Sequence, residues 1–311
     1  MTSHPCQVLY GSVVVLFLVT AGSANAQLHT TGQNVQPVFE GWQHNPDGSF
    51  TMVFGYLNRN YMEEPHIPVG PNNFFEPGPA DRSQPTHFYP RRQSFVFEVT
   101  VPADWGEKQD LVWTVTHNGR TDKAYGSLWP IWEIEEGVWK ANRGSGIRGR
   151  TGRDYEPNQR PSITVLVENT LTLALPETLT LTVSVSDDGK PGPRPPGQQQ
   201  PRADDGVRPV PSTTGVPGVA RNVTPATQDM VKARVAYETG LAVSWIQYRG
   251  PGKVTFDPMA VPIKSDGKAV TAVRFSEPGT YVLRAYADDG VLTTPAEVTV
   301  IVKGAAPEVR R

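Results

Sequence analysis

The sequence predicts an all-β chain of two β-sandwich-like domains in tandem behind a cleaved leader. Three observations carry this. Its 311 residues are as long as two domains of ordinary size. It holds 30 Pro and 29 Gly against only 38% hydrophobic residues, which suits short strands broken by loops rather than a helical bundle. Apolar residues recur at every second position in several short runs, the period of a half-buried strand.

Residues 1–26 read as a secretory signal peptide. Val8 to Val19 is largely apolar and the stretch ends in Ala24-Asn25-Ala26, a small-x-small cleavage pattern, although no Lys or Arg precedes it. The run is too short for a comfortable membrane span of about 20 residues, so cleavage before Gln27 with no transmembrane segment after it is expected, an uncleaved anchor being the alternative. Cys6 lies in the leader, which leaves the remaining chain without cysteine. A secreted or periplasmic protein is expected, held by its cores alone. The net charge of −2 gives no sign of a nucleic-acid or anionic-membrane surface.

The first domain is expected over residues 35–140. Val38 to Trp42 and Phe50 to Tyr56 flank Asn45-Pro46-Asp47-Gly48, where Pro presets one turn position and Gly accepts positive φ. In Ser94 to Val101, Phe95, Phe97 and Val99 share one face. Leu111 to Thr116 and Arg120 to Tyr125 are joined through Asn118-Gly119, a strong hairpin signal. Residues 58–92 form a long Pro-rich loop, and loops of that size are often functional. Residues 141–161, rich in Arg and Gly and poor in apolar side chains, read as an interdomain linker.

In the second half, Leu179, Leu181, Val183 and Val185 alternate with Thr and Ser. Leu241 to Tyr248 carries Trp245 in mid-strand, Gly279 to Ala287 alternates again, and Glu297 to Val302 ends the pattern. Several pieces occur in a characteristic order. They are Leu175-Pro176-Glu177-Thr178-Leu179 running to Asp187-Asp188-Gly189, Val243-Ser244-Trp245, and Gly250-Pro251-Gly252-Lys253-Val254-Thr255-Phe256. Phe275 to Tyr281, Asp288-Asp289-Gly290 and Val298-Thr299-Val300 complete the series.

Over residues 162–303 this order resembles a PKD-like immunoglobulin-type domain of bacterial secreted proteins. The resemblance implies a two-sheet sandwich with Trp245 in the core and Tyr281 at the corner-tyrosine position. By the same alternation Leu283 shares the inner face with Tyr281, while Arg284 points to solvent. An insertion at 190–240, opening Lys190-Pro191-Gly192, departs from the pattern and is too poor in apolar residues to fold over most of its length.

No catalytic constellation emerges. His29, His44, His66, His87 and His117 show no metal-binding spacing, though His44, His66 and His87 are close enough in loop context to converge. The adjacent carboxylates Glu63-Glu64 and Glu135-Glu136 read as solvated faces. No cofactor is expected, with calcium as the one candidate. In an immunoglobulin-type fold the loops carrying Asp187, Asp188, Asp288 and Asp289 leave the same end. Ca²⁺ takes about six to eight oxygen ligands, so these four suit it, while ordinary Asp-Gly turn chemistry accounts for them as well. Trp129, Trp132 and Trp139 are a second candidate, either stacking on sugar rings or packing the domain against its linker. Together these readings predict a non-enzymatic binding or spacer module whose partner is an extracellular protein or a polysaccharide.

Overall fold

A computed structural model describes residues 29–135, 138, 158–168, 170–190 and 240–304. The leader 1–26, Trp139, residues 141–157 of the linker and 191–239 of the insertion lie outside the described residues.

Among the described residues the first half is built from six strands. β1 (Val35–His44), β2 (Phe50–Asn58) and β4 (Arg91–Val101) pair in the order β1-β2-β4. β3 (Asn73–Glu76), β5 (Leu111–His117) and β6 (Arg120–Gly126) form a second sheet, β3-β5-β6. Both hairpin signals form as the sequence predicts. His44 pairs with Phe50 around the Asn45–Gly48 turn, and His117 pairs with Arg120 around Asn118-Gly119. The inner faces meet in an aromatic core where Phe75 stacks on Trp113 at 5.8 Å and Phe97 meets Trp113 edge-on at 5.0 Å. Phe95, Phe97 and Val99 are buried, in agreement with their shared face.

The Pro-rich stretch 58–92 is better ordered than its composition predicts. It contains β3, whose Phe75 pairs with Trp113. Asn73, fully buried, bonds Nδ2 to the Ile67 and Pro85 carbonyls at 2.9 and 2.8 Å, and its Oδ1 accepts from Trp113 Nε1 at 2.9 Å. Polar side chains thereby satisfy backbone groups that no ladder reaches.

Among the described residues the second half is a sandwich of five strands on four. One sheet runs β12-β10-β14-β15-β8, made of β8 (Thr170–Ala174), β10 (Ala242–Arg249), β12 (Ala260–Pro262), β14 (Gly279–Asp288) and β15 (Thr293–Lys303). The other runs β11-β13-β9-β7, made of β7 (Ser162–Val165), β9 (Leu179–Ser186), β11 (Val254–Asp257) and β13 (Lys268–Phe275). Leu181, Val183, Val185, Trp245, Leu283 and Val300 fill its core. Tyr281, fully buried, donates its hydroxyl to the Glu277 carbonyl at 2.7 Å and accepts from Gly252 N–H at 3.1 Å. That bond to backbone a few residues upstream is the corner tyrosine of an immunoglobulin-like sandwich, and Trp245 stacks in the core on Phe256 at 6.4 Å. No helix among the described residues is long and apolar enough to cross a membrane.

Candidate functional site

The acidic loops do approach one another. Asp289 Oδ2 accepts from Asn158 Nδ2 at 3.0 Å, and Asp188 Oδ2 accepts from the neighbouring Gln159 N–H at 3.2 Å, so the start of the second half ties the two loops together. One oxygen of each carboxylate is engaged in turn chemistry, while Asp187 Oδ1 is buried without a hydrogen bond. Asp187 accepts from Gly189 N–H at 2.9 Å, Asp188 from Lys190 N–H at 2.9 Å and Asp288 from Gly290 N–H at 2.7 Å. Asp289 Oδ1 accepts from both Val291 and Leu292 N–H, at 2.7 and 2.6 Å. Burial pushes Asp187 and Asp289 above the usual carboxylate range and Asp288 up to about 8. Among the described residues no three or more His, Cys, Asp or Glu side chains are grouped to hold a metal ion. The side chains of Asp187, Asp188, Asp288 and Asp289 each make the short-range bonds of an Asp turn.

The aromatic segment lies beside β1. A single 3₁₀ turn, Pro130–Trp132, is held by Trp42, whose Nε1 donates to the Trp129 carbonyl at 2.9 Å. Ile134 N–H donates to the Trp42 carbonyl at 2.8 Å. The anchoring leaves Trp129 and Trp132 59% and 47% exposed on either side of Ile131. Trp132 also meets Phe39 edge-on at 5.9 Å.

The most extensive polar constellation is one that the sequence pattern missed, a seam between the two sandwiches. The outer face of β10 and β14 is covered by the first half. Ile246 and Tyr248 belong to the first half's hydrophobic core, with Val282 and Tyr286 packed against it. Arg284, expected in solvent, is only 7% exposed. Its guanidinium lies 3.5 Å from the Tyr248 ring centre, donates through Nη1 to the Val96 carbonyl at 2.8 Å, and contacts Glu297 Oε1 through Nε at 2.8 Å. The alternation itself holds, since Leu283 is buried inside, but the opposite face is an interface and not a solvated one. Arg249 adds a two-pronged bond to Asp81 at 2.8 and 3.0 Å, and this bond holds Asp81 below its ordinary value. Gln247 N–H donates to Tyr89 Oη at 2.9 Å.

The histidines divide. His44 stays apart beside Phe50 and Glu133, whereas His66 and His87 face each other in an antiparallel bridge at the seam. Glu63 and Glu64 are not idle surface carboxylates, because they contact His117 at 3.0 Å and His87 at 3.2 Å.

No family model matches this chain. No curated protein matches it either. Among solved structures it is similar to the D00-D0 domain of intimin, at 9% identity and a TM-score of 0.24, covering 86% of this chain and all of that one. It is also similar to titin domains Z1Z2 in complex with telethonin, at 9% identity and a TM-score of 0.22, covering 87% of this chain and 98% of that one. Domains 4 and 5 of the S-layer protein SbsC match at 9% identity and a TM-score of 0.24, over 63% of this chain and 65% of that one. Likenesses this distant carry no argument. The immunoglobulin-like assignment rests on the Tyr281 corner, the buried Trp245 and the two packed sheets.

Proposed function

We propose that this chain is a secreted or cell-envelope interaction module of the adhesion or spacer kind, without catalytic activity. Its units are a first sandwich over 35–140 and a PKD-like sandwich over 162–303, and its partner is an extracellular protein. The observation that supports this reading is the seam. Arg284, Arg249, Tyr248 and Gln247 are engaged in fixing one sandwich against the other, which is what a part that presents a surface at a set distance and angle requires. The leader read in residues 1–26 supplies the location. The test is fractionation of the source organism together with an adhesion assay on a strain deleted for the chain. Recovery in the cytosol, or unchanged adhesion and envelope integrity, would sink the proposal.

A second reading, binding of a polysaccharide, draws on the exposed Trp129 and Trp132. Exposed aromatic faces suit the apolar faces of sugar rings. Retention on insoluble polysaccharides that disappears in Trp129→Ala and Trp132→Ala would favour it, and equal retention of all three proteins would dismiss it.

A further inference from the structure

His66 and His87 sit opposite each other on a two-stranded ribbon. Ile67 N–H donates to the Thr86 carbonyl at 2.8 Å and Phe88 N–H to the Pro65 carbonyl at 3.1 Å. These bonds flank the pair, which makes it a non-hydrogen-bonded position, where side chains stand closest, with Cβ atoms about 4.5–5.5 Å apart. His87 is 7% exposed, and its ring meets the Tyr89 ring edge-on at 4.7 Å. His66 Nδ1 is buried and makes no hydrogen bond. The same ribbon carries backbone bonds of the seam. Thr86 and His87 N–H both donate to the Tyr248 carbonyl, at 3.2 and 3.3 Å, and Gly250 N–H donates to Thr86 Oγ1 at 3.2 Å.

We infer that the His66–His87 pair makes the seam acid-sensitive, docked near neutral pH and loosened as the imidazoles take up protons. Like charges directly opposite on a strand pair repel, and here they would repel within the ribbon that grips Tyr248. Four charged groups face the pair or line the seam beside it. Glu64 stands against His87 at 3.2 Å, and Glu277, on the β13–β14 turn, lies near His66 and favours its cation. Across the seam Arg249 and Arg284 are already paired with Asp81 and Glu297, so they neither neutralise nor repel a new charge strongly.

Burial of His66, followed by the like charge of His87, outweighs Glu277 and the Thr86 backbone and holds the imidazole below its ordinary value. A depressed value in the docked state fixes the sign. The contribution is fully present above the free imidazole value of about 6.5 and is lost as pH falls below it.

Hydrogen exchange on the chain from Gln27 onward provides the test, because it reads the seam locally. After correction for intrinsic rates, protection of the Thr86 and His87 amides should fall by about tenfold or more between about pH 7.5 and about pH 5, while that of the β9 amides does not fall. In His66→Gln the fall should shrink to about threefold or less. Unchanged protection of Thr86 and His87 in the natural sequence, or an equal fall in the variant, would overturn the inference. Should the variant fail to fold, the imidazole titration of His66 followed by NMR in the natural sequence decides. A midpoint below about 6.5 supports the inference, and one at or above it refutes it.

Discussion

Arg284→Ala removes a cation from the seam, and its cost can be worked from the contacts. The Val96 carbonyl loses a charged donor at 2.8 Å, a bond worth about 1.5–3 kcal/mol. Tyr248 loses a guanidinium stacked at 3.5 Å, worth about 1–2 kcal/mol in a desolvated setting. Glu297, whose side chain is 46% exposed, rehydrates readily, so its pairing adds about 1 kcal/mol at most. Because the three contacts share one side chain they do not add fully, and a net loss of about 2–4 kcal/mol follows. The neighbouring Leu283→Ala, a cavity in the second core, should cost about 2–5 kcal/mol. Equilibrium denaturation with urea, read as a midpoint shift at constant slope, measures both. Arg284→Lys keeps the charge but loses the planar fork and the flat stack, so it should fall between the natural protein and the alanine variant. If Arg284→Ala changed stability by less than about 0.5 kcal/mol, the side chain would be solvated and the seam reasoning would fail.

Three further outcomes are expected. Tyr281→Phe removes a hydroxyl bonded to Glu277 and Gly252 and should lower stability by about 1–3 kcal/mol in the same titration. Gly250→Ala should cost about 3 kcal/mol or more, or abolish soluble expression, because φ is +138° there and a Cβ would collide with the Tyr281 ring. Asp288, pushed up to about 8 by burial, favours the folded state when protonated. Stability should therefore decline as pH rises from about 4 to about 8, and Asp288→Asn should flatten that decline; a parallel slope in the variant would contradict the burial argument.

Strands with a clean two-residue period were legible because a half-buried strand writes its inner face into the sequence. β9 and β14 are the clearest instances, with Leu181, Val183, Tyr281 and Leu283 all inside. The Tyr281 corner was legible as well, from the resemblance over 162–303. The strand β3 was not, since Pro71, Pro77 and Pro79 surround it and its pairing with β5 is long-range. The seam was missed for a different reason. Alternation separates two faces of a strand but says nothing about which body covers the second one, and Arg284 looks the same in sequence whether it meets water or Tyr248. A faint signal was present all the same, because Ile246, Tyr248, Val282 and Tyr286 make the outer face of β10 and β14 unusually apolar for a solvated sheet.

The second sandwich begins with β7 in one sheet and crosses to β8 in the other, where β8 runs parallel to β15 with Thr170 beside Thr299 and Ala174 beside Lys303. Parallel neighbours place the upstream end of one strand and the downstream end of the other at opposite extremes. Tension carried along the chain through this unit would thus slide β8 and β15 past each other, loading every bond of that ladder at once instead of peeling them singly. If the chain is pulled, the unit should therefore yield at a higher force along the chain than across the ladder, which single-molecule force spectroscopy would measure.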